Sequence, residues 1–450
     1  MLPIQSKEDP IDMKKDPRGC PVNSRSSQAI SHMEKALWRM ISYYGDPIGD
    51  LDAAIEEDPN WALPLITKAN CLLLTTEYKY RAIALSLLEE ARPLLLKSRC
   101  NREQMHFYAS LACAEGEWEK ACERWEQILV EYPRDVSALL AAHLIDFCRG
   151  DSTQLQRRVA RVLPAWSSSD PLHSYVLGLH AFGLEECNRY SEAFETGQMA
   201  LEANINDPWA IHAITHVHEM RGEHELGAKW LSSLTNVWAP ENGLAAHNWW
   251  HLALFHLENG EVDQALGLYD QHISEAPVLA LQHIDMAAFL WRLKLLDVEL
   301  GDRWQSTAAF WPVDEAESGY YCFNDVHAVL AHIGAGNLEP AMRLLASVEK
   351  RGAENSTLGH MAKVAGAPLI RGLLAYAESD FARATDELLV ARSKAVFFGG
   401  SHAQRDIVYL TLVDASIRAG RRSLAKHLLN ERMPHKQGTV LTDLWLKRAA

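Results

Sequence analysis

The chain carries twenty histidines, and several of them recur at the spacing that puts side chains on one side of a helix. In the run DPWAIHAITHVHEM, Trp209, His212, His216 and Glu219 follow one another at +3, +4 and +3, so all four share one helical stripe. The run HNWWH sets His247 and His251 one turn apart, with Trp250 on the same side. In FNDVH, Phe323 and His327 are again one turn apart, with Asp325 between them. Two His-x-x-x-His pairs (His212, His216, His247 and His251) with a nearby carboxylate are donors that zinc or iron takes. Without a metal, the same groups could give and take protons near neutral pH. In that version His216 or His251 is the general base and Glu219 orients it, giving a hydrolase or a lyase. The general-base placement of an HExxH motif is absent, so spacing alone does not choose between the two chemistries. Trp209 and Trp250 are candidate apolar walls for a ligand. Each histidine also has a plain reading, a buried imidazole bonded at a helix seam, and His218, His224, His256 and His332 are the first candidates for it.

A second constellation is VFFGGSHAQRD. Gly399 and Gly400 end one helix, Ser401 caps the next, and His402 to Asp406 open it. Arg405 could fork around a carboxylate or phosphate, with Gln404 or His402 beside it. The plain reading is a capped turn with an Arg405–Asp406 pair. The spacing of a phosphate loop is missing, and no nucleophile elbow, kinase set or dinucleotide fingerprint occurs in the chain.

These side chains need elements that turn them toward one another. From Phe107 the sequence reads FYASLACAEGEWEKACERWEQILVEYP, with small Ala109, Gly116, Trp118, small Ala121, Trp125 and Pro133 at the offsets of a helix-turn-helix repeat of about 34 residues. The pattern returns at Gly260, Val262, Ala265, Tyr269 and Pro277. It returns more loosely at Tyr190-Ala193-Ala200, Gly222-Gly227-Leu231, Gly336-Ala341-Leu345, Phe381-Ala384-Leu388 and Gly420-Ala425-Leu429. The small residues let paired helices approach, the glycines permit the tight turns, and the aromatics fill the wedge between pairs. We therefore expect an all-α superhelix of tetratricopeptide-like hairpins over residues 31–450, after a flexible tail at 1–30. The first helix of each pair should line a concave face rich in His and Trp. Neighbouring helices pack about 10 Å apart, so the histidines of successive pairs could converge there. The stretch from Pro277 to Tyr320 breaks the period and reads as a non-standard helix plus a loop over the groove.

Composition narrows the partners. In 450 residues, 48% are hydrophobic, and Lys plus Arg number 44 against 59 Asp plus Glu, a formal charge of −15. Such acidity argues against a sequence-independent grip on nucleic acid and against anionic membranes. The expected partner is a small molecule or short peptide of anionic character. Met1 to Ser24 lacks the apolar run of a secretory signal or an anchor, and the eight cysteines form no framework, which reads as reduced thiols in a cytoplasmic protein.

The strings DPWAIHAITHVHEM, HNWWHLALFHLENGEVDQALGLYDQHI, CFNDVHAVLAHIGA and FFGGSHAQRD, in that order, together with REQMHFYASLACAEGEWEKACERWEQIL, resemble the tetratricopeptide repeat protein 38 family from about residue 35 onward. The resemblance implies an all-helical repeat fold and no assigned activity. The matching segments hold His212, His216, Glu219, His247, His251, Asp325, His327, Gln404, Arg405 and Asp406. A likeness carried by polar residues rather than by the Ala/Gly/aromatic framework points to a site there.

Overall fold

The computed structural model describes residues 13–275, 277–314, 317–436 and 438–450. One hairpin shows how the repeat is built. The helix Asn101–Ala114 meets Trp118–Glu131 through the small, fully buried Ala109 and Ala121. Gly116 makes the turn between them at a φ of 81°, a conformation that costs an L side chain but not glycine. Trp118 and Trp125 are wholly buried and fill the wedge against neighbouring helices.

The same construction runs along the chain: Ser27–Ser42 with Pro47–Glu57, Ala62–Leu73 with Tyr78–Leu95, Val136–Cys148 with Ser152–Val162, His173–Glu186 with Tyr190–Ala203, Pro208–Met220 with His224–Ser233, Ala245–Glu258 with Val262–Leu268, Ala280–Leu295 with Arg303–Ala309, Cys322–Gly334 with Leu338–Arg351, Ala367–Ala377 with Phe381–Arg392, and His402–Arg418 with Arg422–Lys436. Val440–Ala449 ends the array. The fold is an all-α solenoid of tetratricopeptide-like hairpins. Among the described residues, no helix is long and apolar enough to cross a membrane.

The superhelix winds tightly enough for distant turns to touch. Trp209 donates its indole N–H to the Ile41 carbonyl at 2.7 Å, Trp291 donates to Thr411 Oγ1 at 2.9 Å, and Tyr321 donates to the Cys148 carbonyl at 2.7 Å. Two glycines mark the closest approach. A Cβ on Gly150 would lie 1.8 Å from the Val396 carbonyl oxygen, and one on Gly399 would lie 2.3 Å from that of Cys148. Gly399 thus serves backbone contact between turns as well as the end of a helix. The inner face is consequently covered: the first helices line it, but their His and Trp side chains are buried beneath other turns.

Two expectations are corrected. The stretch after Pro277 does not interrupt the array, because Ala280–Leu295 and Arg303–Ala309 form a helix pair of their own. Its loop docks locally, with His332 Nε2 2.9 Å from the Trp311 carbonyl and His283 stacked on Phe310. The tail does not extend to residue 30. Residues 1–12 lie outside the described residues, but Lys14–Lys15 pairs with Pro21–Val22 and helix Ser27–Ser42 begins on a Ser26 cap. Arg18 is buried between Asp16 and Glu34, Asn23 N–H donates to Glu103 at 3.0 Å, and Arg102 reaches both Asp135 and the Pro21 carbonyl. The segment is anchored by charges whose partners lie far along the chain, a tie that leaves no local periodicity.

Candidate metal centre

Helix Pro208–Met220 starts at Asp207, whose carboxylate accepts the Ala210 N–H at 3.1 Å, with Pro208 in the first turn. This start sets the register that turns His212, His216 and Glu219 inward. Helix Ala245–Glu258 presents His247, Trp250 and His251 toward them. The ring centroids of His212 and His216 are 4.4 Å apart, those of His216 and His251 4.5 Å, and those of His247 and His251 4.7 Å. All four rings are buried, at 0–6% exposure. One ring nitrogen from each falls within 4.8 Å of the others.

Acidic side chains stand behind three of the rings, two of them within hydrogen-bond distance. His247 Nδ1 lies 2.8 Å from Asp285 Oδ2, His251 Nδ1 lies 3.1 Å from Glu219 Oε2, and His216 Nδ1 lies 3.5 Å from Glu185 Oε2. At His247 and His251 the accepting carboxylate oxygen holds the proton on Nδ1 and leaves Nε2 with a free lone pair, whereas His216 Nδ1 has no hydrogen-bond partner. The Nε2 atoms of His212 and His216 face each other at 3.1 Å, and His251 Nε2 has no hydrogen-bond partner. Ligand nitrogens at the usual zinc distance of about 2.0–2.1 Å stand about 3.3 Å apart in a tetrahedral set, close to the 3.1 Å between His212 and His216, and the four nitrogens of the set lie within 4.8 Å.

The charge states agree with ligation. Burial, followed by repulsion from the neighbouring imidazoles, holds His212 and His216 well below the ordinary histidine range and lowers His251 as well. Neutral imidazole is the form that binds a metal. For Glu219, burial pushes the carboxyl up, but Lys436 and the bond from His251 pull it further down, so it is ionised. Glu185 goes the other way. Burial, then Glu186 and Glu219, raise it well above the carboxylate range, and neither of its oxygens has a hydrogen-bond partner.

The other candidate residues are placed variously. Trp250 stacks on His247 at 5.2 Å, with the Arg292 guanidinium 5.4 Å from its ring. Trp209 packs between His143, Phe182 and Tyr43 and is a joint between turns. His327 is not brought to the other histidines. Its Nδ1 is 2.7 Å from the Phe323 carbonyl one turn earlier, its ring lies between Phe323 and Phe398, and burial lowers it to about 4. Asp325 accepts the Gly319 N–H at 2.9 Å. Gln404 and Ser401 form a capping box, Gln404 Oε1 accepting the Ser401 N–H at 2.9 Å. Arg405 does not pair with Asp406: it reaches Glu186 at 3.1 Å, while Asp406 accepts from Arg432 at 3.1 Å. Of the histidines read as structural, His218, His256 and His332 each have a bonded partner, and His224 is buried with neither nitrogen bonded.

Five participants escaped sequence reasoning. Asp285 sits on the helix read as an irregular insertion, and Glu185 lies in the preceding hairpin. Lys436 and Arg432 come from the last hairpin, whose periodicity marks only its apolar side. Glu258 alone had a signal, being seven residues after His251 and therefore on its stripe. Lys436 Nζ donates to Glu219 at 3.2 Å and to Glu258 at 3.3 Å, and Arg432 donates to Glu258 at 2.6 Å. Beside this network opens a cavity of about 500 Å³ lined in part by Glu219, His402, Arg405, Asp406, Arg432 and Lys436.

No family model matches the chain. Solved structures similar to it include a human IFIT1 dimer with m7Gppp-AAAA, at 15% identity over 95% of both chains with a TM-score of 0.43. The human IFIT1 dimer with PPP-AAAA aligns at 16% identity over 95% of both chains, also with a TM-score of 0.43. Cut9–Hcn1, an APC/C hetero-tetramer, aligns at 13% identity over 94% of this chain and 96% of that one, with a TM-score of 0.32. The expectation that excluded nucleic acid is corrected here, since these IFIT1 structures hold capped and triphosphate RNA oligonucleotides. The exclusion rested on net charge, which averages over the whole surface and does not bear on a local cationic site.

Proposed function

We propose that this chain holds a divalent transition metal through His212, His216, His247 and His251, and that the metallated core supports binding of a small molecule or short peptide in the adjoining cavity. The observation that carries the reading is the convergence of four buried imidazole nitrogens within 4.8 Å, two of the rings bonded to carboxylates. Carboxylate behind imidazole is the arrangement that orients a ligating histidine and raises its basicity. An all-imidazole set favours zinc, iron, nickel or copper over magnesium or calcium. The unpartnered His251 Nε2 and the facing Nε2 atoms of His212 and His216 are the atoms a metal would satisfy.

Direct acid–base catalysis by His216 or His251 is the weaker reading. A general base must come within hydrogen-bond reach of its substrate, whereas both rings are fully buried and the cavity wall is formed by Glu219 instead. Metal-assisted hydrolase or lyase chemistry would need an open coordination position, which a closed tetrahedral set lacks and a six-coordinate one retains. The family resemblance quoted above supports membership of the tetratricopeptide repeat protein 38 group and adds no activity. Cysteines without framework spacing support a reducing, cytoplasmic setting.

Elemental analysis of the purified chain, with cobalt(II) substitution followed by visible absorption, tests the proposal. About one equivalent of transition metal per chain and a cobalt spectrum of nitrogen ligation are expected. Purified and reconstituted protein that both lack stoichiometric metal would refute it.

A further inference from the structure

The cavity beside the histidines has an uneven set of unused hydrogen bonds. Arg432 and Lys436 line it and are each only 5% exposed. Arg432 spends one terminal nitrogen on Glu258 and Asp406 and the other on Thr442 Oγ1 at 2.8 Å, while its buried Nε–H has no acceptor. Lys436 has three N–H donors, and its described bonds go to Glu219 and Glu258. Arg405 and Arg392 also line the wall. The carboxylates that line it are already engaged: Glu219 with His251 and Lys436, Asp406 with Arg432, and Glu431 with Arg392. What the buried cations still offer is donors. A volume of about 500 Å³ lies in the range that encloses a metabolite-sized ligand.

We infer that this cavity binds a small anion, a carboxylate or a phosphate group, through the Arg432 Nε–H and the Lys436 ammonium. Guanidinium and ammonium bonded to buried carboxylates are held in fixed positions, so the ligand meets preorganised donors and little side-chain freedom is lost on binding. The anion supplies an acceptor to two buried donors that the described residues leave unsatisfied. Arg405, held by Glu186, is the neighbouring charge at the same wall. The sequence pointed to Arg405 as the anion holder, whereas the open donors belong to the last hairpin. This inference rests on the ligand-binding half of the function proposed above and is independent of the metal.

Isothermal titration calorimetry on the full chain, after chelation and again after metal loading, separates the two. The probes are succinate, inorganic phosphate and the neutral succinamide, all at constant ionic strength. Saturable one-site binding of succinate or phosphate to the metal-free protein is expected, with none for succinamide. Binding by succinate alone assigns a carboxylate ligand, and binding by phosphate alone assigns a phosphoryl ligand. Arg432→Lys keeps the positive charge facing Glu258 and Asp406 but deletes the Nε–H, and should weaken binding about ten-fold, or 1.4 kcal/mol. Lys436→Met should weaken it at least as much. Arg161→Met, on an exposed pair with Glu126, should leave it unchanged. Circular dichroism melts establish that each variant is folded. Absence of saturable heat with both anions, equal binding of succinamide, or unaltered affinity in both folded Arg432 and Lys436 variants would overturn the inference, whatever the metal analysis returns.

Discussion

His251 hands its Nδ1 hydrogen to Glu219 Oε2 across 3.1 Å, a bond between two buried side chains on neighbouring helices that fixes which nitrogen of the ring faces the other histidines. The second oxygen of Glu219 is held by Lys436 at 3.2 Å, so the carboxylate cannot swing away. Replacing it with Gln at position 219 keeps the size but removes the charge that makes His251 a strong donor to a metal. Glu219→Gln should lower metal affinity about 10- to 100-fold, measured by competition with a chelator, and Asp285→Asn should act similarly through His247. Wild-type affinity in both variants would mean that the carboxylates do not serve a metal.

Spacing on the helix made His327 a ligand-binding candidate of the same groove, outside the metal set of the other four, and the structure takes it away from them. His247→Ala should abolish stoichiometric metal. His327→Ala should retain it while costing about 1–3 kcal/mol of stability, since a fully buried ring between Phe323 and Phe398 is replaced by a void. Metal content and urea unfolding of the two variants, read side by side, distinguish ligand from core. Loss of metal in both would return His327 to the site.

The contrast shows what a sequence can carry. A +4 spacing declares that two residues share a helical face, and the recurrence of Gly116, Trp118 and Ala121 declares the hairpin. Both are local patterns, and both were legible. How tightly the hairpins wind is decided by contacts such as Trp209 with Ile41 and Gly150 with Val396, which join segments far apart in the chain. The same winding buries the inner face and brings Lys436 to Glu219, while Glu185 and Asp285 reach the histidines from the adjoining hairpins. None of these three stands at a repeating position, so only the folded chain pairs them with their partners.

The N-terminal segment offers a test of that long-range kind. Arg18 donates to Glu34 at 2.7 Å and to Asp16 at 3.3 Å from a buried position. Arg18→Ala would leave buried Asp16 without that partner and should cost about 2–4 kcal/mol, as the loss of one member of a buried pair does. Lys15→Ala, at an exposed neighbour, should change stability by less than about 0.5 kcal/mol. Equal urea midpoints for Arg18→Ala and the wild type would make the segment a loosely held tail after all.

Asp325 carries a pH signature that can be measured. Burial raises its carboxyl from the ordinary 3.8 to about 7, with the Gly319 N–H bond pulling only partly against it. The folded chain therefore binds this proton more tightly than the unfolded chain does. Between about pH 4 and 7 the folded state retains a proton that the unfolded state has released, so stability falls as pH rises through that window and levels off above it. Asn at position 325 keeps an oxygen for Gly319 but cannot ionise. The stability of Asp325→Asn relative to wild type should thus improve steadily from pH 4 to 7, by about 2–4 kcal/mol in total. Any fixed cost of the new amide, whose N–H groups replace an unpartnered Oδ2, shifts the whole curve and leaves its slope untouched. Urea unfolding of both proteins across that range reads the slope directly. A constant difference between them would show that the carboxylate is charged in the fold, and that Asp325 finds a counter-ion or water where burial now leaves it neutral.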